Sequence, residues 1–299
     1  MEGGTLRSDI AKIVEGLESV GYIADRAIAT AVHLGLAMEK PLLVEGAAGV
    51  GKTEIAKAMA AWLETDLIRL QCYEGLDLPT ALYEWNYQKQ LLHIRLQGRD
   101  GDAESVQRTI FGPDFLLERP LLRAIRCEER PVLLIDEVDR ADEEFEAFLL
   151  ELLSDFQVSI PELGTIEART RPVVVLTSNG TRELSDALRR RCLYLWIDYP
   201  EPEREIEILR RRRPDIALTR VREAVGLAQQ LRGERLGKPP GVAETLDFAT
   251  ALEALGAEAL GPETARDAIG ALIKDPNDLA GLTAERLEAL LRVSGGPGG

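Results

Sequence analysis

The run Gly46-Ala47-Ala48-Gly49-Val50-Gly51-Lys52-Thr53 follows the spacing G-x-x-x-x-G-K-T. An apolar run, Leu42-Leu43-Val44, precedes it, and an Ala-rich stretch from Glu54 to Leu63 follows. That order predicts a buried strand, a glycine loop and a helix, which commits the chain to an α/β layout. The glycines let the backbone curl around an anion without Cβ clashes. Successive N–H groups and the helix N-terminus direct positive potential into the loop. Such a loop suits the phosphates of a nucleoside triphosphate. Residues Gly46, Ala47, Ala48, Gly49, Val50 and Gly51 would cradle them, with Lys52 reaching the β- and γ-phosphates and the Thr53 hydroxyl on Mg²⁺.

Four further apolar runs recur along the chain: Leu67–Leu70, Val132–Ile135, Val173–Leu176 and Leu193–Ile197. Helical stretches separate them, which predicts parallel strands with helical crossovers. Two helices around Gly21-Tyr22 should come before the first strand. After Tyr199-Pro200-Glu201-Pro202 the β-runs stop and Ala, Leu, Glu and Arg dominate. The expected division is an α/β domain over 1–199, a helical domain over 200–293 and a flexible tail over 294–299. Residues 232–242 read as a loop within the helical part. Two segments interrupt the alternation. One runs from Tyr73 to Phe111 and contains the polar Gly98-Arg99-Asp100-Gly101-Asp102; the other, around Pro161-Glu162-Leu163-Gly164, predicts a hairpin.

The chain has 299 residues, 45% of them hydrophobic but only 5% aromatic, so its core should be aliphatic. The net charge of −15 opposes general binding to nucleic acid or to an anionic membrane. Cys72, Cys127 and Cys192 are dispersed and form no C-x-x-C pair, which points to neither a disulfide framework nor a zinc site. With no apolar signal core or membrane-length run, the expectation is a cytoplasmic protein without stable membrane insertion.

Pro131-Val132-Leu133-Leu134-Ile135-Asp136-Glu137 is an apolar strand that ends in two acids. In parallel sheets, ligands bind at the C-terminal strand ends. Asp136 is therefore the expected Mg²⁺ partner alongside Thr53, and Glu137 the group that polarises an attacking water. Asp142, Glu143 and Glu144 suit a helix N-terminus instead. Val173–Leu176 leads into Thr177-Ser178-Asn179, where Asn179 could hold the water or the γ-phosphate. Arg189-Arg190-Arg191 precedes the last strand. One of them, with Arg191 first, could reach a neighbouring subunit's γ-phosphate. The run Arg210–Arg213 suits a helix C-terminus. Tyr73, Tyr83, Trp85 and Tyr87 could grip a client in a ring pore. Equally, Tyr83 and Tyr87 stand at i, i+4, which suits packing.

With these residues placed, the chain resembles the AAA+ ATPases and, within them, the MoxR family. The resemblance covers about residues 15–290. It rests on the loop Gly46–Thr53, on Leu134-Ile135-Asp136-Glu137-Val138-Asp139-Arg140-Ala141 and on Leu150-Glu151-Leu152-Leu153. It implies a P-loop AAA+ core with a five-stranded parallel sheet of order 5-1-4-3-2, a C-terminal all-helical lid, ATP with Mg²⁺, and a hexameric ring with a chaperone-like role. By the same resemblance Asn179 matches the first sensor, Arg191 the finger, and Tyr22-Ile23 the segment bordering the adenine. Tyr73-Glu74-Gly75-Leu76-Asp77 and the segment Lys238–Thr245 look like the branch linked to maturation of carbon monoxide dehydrogenase, often encoded beside a von Willebrand factor A domain protein. One departure stands out: where relatives carry a second-sensor arginine, this chain has Thr245.

The resemblance implies Mg²⁺-dependent ATP hydrolysis that remodels a protein client, for metal-cofactor insertion or enzyme maturation. Alternatives within the motor class are a chelatase or rubisco-activase type subunit. A nucleic-acid motor and a monomeric small-molecule kinase are readings from other classes.

Overall fold

The structure is a computed structural model that describes residues 2–97, 103–256 and 259–294. The polar segment 98–102 and the tail 295–299 lie outside the described residues. The chain forms two compact units. The first comprises Met1–Val20, Ala24–Glu45 and Thr53–Trp196; the second comprises Gly21–Ile23, Gly46–Lys52 and Ile197–Gly299.

In the first unit, helices Glu2–Ser19 and Arg26–Met38 precede the sheet. Asp25 caps the second, its carboxylate accepting from Ile28 N. The sheet strands are β1 (Leu42–Gly46), β2 (Leu67–Gln71), β3 (Val132–Asp136), β4 (Val173–Ser178) and β5 (Leu193–Ile197). Their order is β2-β3-β4-β1-β5, which read from the other edge is the expected 5-1-4-3-2. The pairs β2–β3, β3–β4 and β1–β4 are parallel.

Burial explains the sequence pattern. Strands β1, β3 and β4 are buried at every position, as continuous apolar runs require. The edge strands β2 and β5 alternate instead, because each has a neighbour on one side only. On β5 this leaves Tyr194 and Trp196 exposed. The helix Glu143–Asp155 sends Phe145, Leu149, Leu152 and Leu153 into the core, as their spacing predicts. The hairpin pairs Gln157–Ile160 with Gly164–Glu167. Gly164 takes φ +78 in its turn, a region closed to most side chains.

The segment after Tyr73 departs from the helical spacing of Tyr83 and Tyr87. Tyr83–Trp85 is a strand paired antiparallel with Leu116–Glu118, and Tyr87 begins the next helix. Trp85 is buried and meets Tyr83 and Phe111 edge-on, with centroids at 6.0 and 5.3 Å. Tyr73 and Tyr87 are exposed. The four aromatics therefore divide between packing and surface.

The second unit is helical around its own aliphatic core, from Leu209 to Leu290, with Phe248 fully buried. Its main helices are Pro202–Arg212, Leu218–Arg232, Val242–Leu255, Pro262–Leu272 and Ala284–Ser294. Arg232 and Glu205 form a buried two-pronged ion pair at 2.6 and 2.7 Å. The Arg232 guanidinium also donates to Pro240 O and the Thr245 hydroxyl, and lies over the Tyr199 ring. With its partners satisfied, the pair fixes the start of the helix Val242–Leu255. The sequence reading divided the chain at 199/200 and kept 21–23 and 46–52 with the α/β part. Local hydrogen bonds explain their place in the second unit: Arg204 donates to Ile23 O at 2.8 Å, and Val242 N to Gly49 O at 3.1 Å.

Candidate nucleotide site

The glycine loop leaves β1 at Gly46 and enters the helix Lys52–Trp62. Gly49 and Gly51 take φ +76 and +95, which L side chains resist. Gly46 is required for a different reason, since a Cβ there would lie 2.0 Å from Ile197 O. Lys52 is buried, and its Nζ donates to Gly46 O at 2.8 Å and Ala47 O at 2.7 Å. The lysine thus folds across its own loop, with its charge held against the loop backbone.

Gly49 also meets Gly241 closely. A methyl on Gly241 would sit 2.8 Å from Gly49 Cα and 3.0 Å from Ala48 O, both backbone atoms that cannot swing aside. Gly241→Ala should therefore force the start of the helix Val242–Leu255 off the loop, at a cost of about 1–3 kcal/mol. A thermal melt should show lower stability, together with weaker nucleotide binding. An unchanged melt would contradict the packing.

The acids lie in the first unit, at the end of β3. Asp136 is buried, and among the described residues its carboxylate accepts from three side chains. The Thr53 hydroxyl donates at 3.0 Å to Oδ1, the Thr177 hydroxyl at 2.5 Å to Oδ1, and Arg69 Nη2 at 2.6 Å to Oδ2. Thr177 in turn accepts from Glu137 N at 2.9 Å, so one hydroxyl ties both acids to β4. Glu137 sits at φ 55, ψ 50, an uncommon conformation for a glutamate. Its carboxylate is partly exposed and accepts from Arg140 at 3.1 Å. Cys72 is buried beside these acids. Burial first, then the charges of Asp136, Asp139 and Glu137, push its thiol up to about 12. It is a packed thiol rather than a nucleophile.

Asn179 follows β4, and its N–H donates to Asp139 Oδ2 at 3.2 Å. The same oxygen accepts from Thr181 N at 2.9 Å and the Thr181 hydroxyl at 2.6 Å. Asp139 thereby pins the Asn179 loop to the segment that bears Glu137. A second buried acid, Glu146, holds the loop further along through Arg182 and Ser185 N. The helix Asp186–Arg191 then carries the three arginines. Arg189 is committed to the buried Glu45 at 2.6 Å. Arg191 is exposed and bonds Ser154 Oγ at 2.8 Å through Nε. Arg190 is exposed and makes no hydrogen bond or ion pair among the described residues.

The structure therefore brings Thr53, Asp136 and Glu137 into one network and anchors Asn179 beside it. Arg191 stays outside that network. Tyr22 and Ile23 share the second unit with the loop Gly46–Lys52. Thr245 is fully buried, its hydroxyl donating to Gly241 O at 3.0 Å and accepting from Arg232, so it is a structural residue within its helix. Sequence reasoning passed over Arg69, Thr177 and Asp139. Arg69 had one signal, a charge inside the run Leu67-Ile68-Arg69-Leu70. The hydroxyl of Thr53 and the carboxylate of Asp136 are hard oxygen donors that fit Mg²⁺, whose other ligands are ordinarily water and phosphate oxygens.

Comparison with known proteins gives the family. The model of the AAA domain, dynein-related subfamily, matches residues 41–192, half of the chain. Protein NorQ of Paracoccus denitrificans is 26% identical over 204 residues, 66% of each chain. The gas vesicle ATPase GvpN of Haloferax mediterranei is 26% identical over 248 residues, 79% of this chain and 68% of its own. The chain thus spans about two thirds of the length of both relatives. A solved structure from Cytophaga hutchinsonii shares the fold with a TM-score of 0.50 at 14% identity, covering 97% of this chain and 95% of its own. The fold and the family match define an AAA+ ATPase. The chain belongs to the dynein-related AAA subfamily and is a MoxR-type member.

Proposed function

We propose that this ATPase is Mg²⁺-dependent, works as a hexameric ring and remodels a protein client, for metal-cofactor insertion or enzyme maturation. The observation that supports the chemistry is the network Thr53–Asp136–Thr177–Glu137, which sets a hydroxyl and a buried carboxylate next to a partly exposed carboxylate. Thr53 and Asp136 would hold Mg²⁺, which supplies charge neutralisation to the phosphates. Gly46 to Gly51 would cradle the phosphates, Lys52 would leave its loop carbonyls for the β- and γ-phosphates, and Tyr22 and Ile23 would border the adenine. Glu137 accepts a proton from the attacking water, and Asn179 orients that water. Arg191, or its exposed neighbour Arg190, would reach the γ-phosphate of the adjacent subunit.

The net charge of −15 favours a protein client over nucleic acid. A cytoplasmic setting accords with there being, among the described residues, no helix long and apolar enough to cross a membrane. Membership of the branch linked to carbon monoxide dehydrogenase maturation, and a von Willebrand factor A domain partner, rest on the motifs at 73–77 and 238–245. Light scattering of the Glu137→Gln variant with Mg²⁺ and ATP tests the ring. A mass of six protomers is expected. A monomeric mass in the presence of ATP would favour the small-molecule kinase reading instead.

A further inference from the structure

Arg69 has no place in the roles above, yet among the described residues it is the cation paired with the buried acid of the site. It stands on the edge strand β2, with its side chain 48% exposed, while that of Asp136 is 4% exposed. Its Nη2 reaches Asp136 Oδ2 at 2.6 Å and Gln71 Oε1 at 2.5 Å. Gln71 is the register partner of Asp136 across β2–β3, so the strand pairing itself aims the guanidinium at the carboxylate. Among the described residues, the other partners of the Asp136 carboxylate are the hydroxyls of Thr53 and Thr177, which carry no charge.

We infer that Arg69 is a resident counter-ion of Asp136 that sets how much Mg²⁺ the site needs. The inference rests on Asp136 being the metal-binding acid. A carboxylate so buried is costly to leave uncompensated, and the guanidinium supplies the compensation. A divalent cation arriving at Asp136 competes with that guanidinium for Oδ2. Because Arg69 is half exposed, it can leave into water at modest cost, whereas a fully buried arginine could not. Arg69 is thus a positioning residue: it acts on the metal through Asp136.

The test is a titration of Mg²⁺ against the binding of a fluorescent ATP analogue, done with the parent, Arg69→Gln and Arg69→Lys. The Gln variant should reach half-saturation at about fivefold lower Mg²⁺, the factor expected of a half-exposed pair. The Lys variant, which keeps the charge, should stay near the parent. Affinity for the analogue in EDTA should change less than about twofold if the arginine acts through Asp136 alone. An identical Mg²⁺ midpoint in parent and Gln variant overturns the inference. So does a large loss of affinity in EDTA, which would make Arg69 a phosphate ligand. Thermal melts with Mg²⁺ alone give a second readout, because the metal should raise the melting temperature of the Gln variant more than that of the parent. Equal shifts would count against the proposal. If the parent binds no analogue at all, the ATPase reading fails first, and the two failures are distinct.

Discussion

Glu137→Gln is expected to bind ATP as the parent does and to hydrolyse it at least about a hundredfold more slowly. The substitution keeps the size of the side chain and its contact with Arg140, which lies 3.1 Å away. The unusual backbone of Glu137 is held by Thr177 through the main-chain N–H, which the amide leaves untouched. Only the ability to accept a proton is lost. Steady-state turnover measured beside equilibrium binding of a fluorescent analogue separates the two effects. Parent-like turnover in the variant would remove Glu137 as the water activator.

The second large effect is expected at the arginines. Arg191→Ala or Arg190→Ala should lower turnover of the assembled protein by about a thousandfold while nucleotide binding persists. Arg189→Ala should behave differently. Its guanidinium is paired with Glu45, which is almost fully buried, so its loss strands a charge inside the first unit and lowers stability. Melting temperature and turnover measured on all three variants distinguish a surface arginine that works in trans from an internal ion pair. Full turnover in both the Arg190 and Arg191 variants would exclude these two residues as the finger.

Much of this was legible in the chain because it is written in short-range pattern. The loop at 46–53, the strand ending in Asp136-Glu137 and the hairpin at 157–167 each depend on residues a few positions apart. The order of the sheet came with the family resemblance, and β2-β3-β4-β1-β5 agrees with it. What stayed hidden depends on that order. Thr177 reaches Asp136 because β4 lies beside β3, and Arg69 does so because β2 lies on its other side. Neither contact has a sequence spacing to betray it. The approach of Gly49 to Gly241 spans most of the chain and leaves no local trace beyond two glycines. The Tyr83–Tyr87 spacing misled for a different reason: a strand followed by a helix start produces the same interval as one helical turn.

The central claim is a catalytic site completed by a neighbouring copy of the chain. Mixing two inactive variants tests it most directly. Glu137→Gln protomers keep their arginines, and Arg190→Ala/Arg191→Ala protomers keep their glutamate. In a ring of head-to-tail interfaces, an equal random mixture restores about a quarter of the sites to full composition. The account predicts that ATP hydrolysis reappears on mixing, to roughly that fraction of the parent rate. A mixture as inactive as its two components would contradict it.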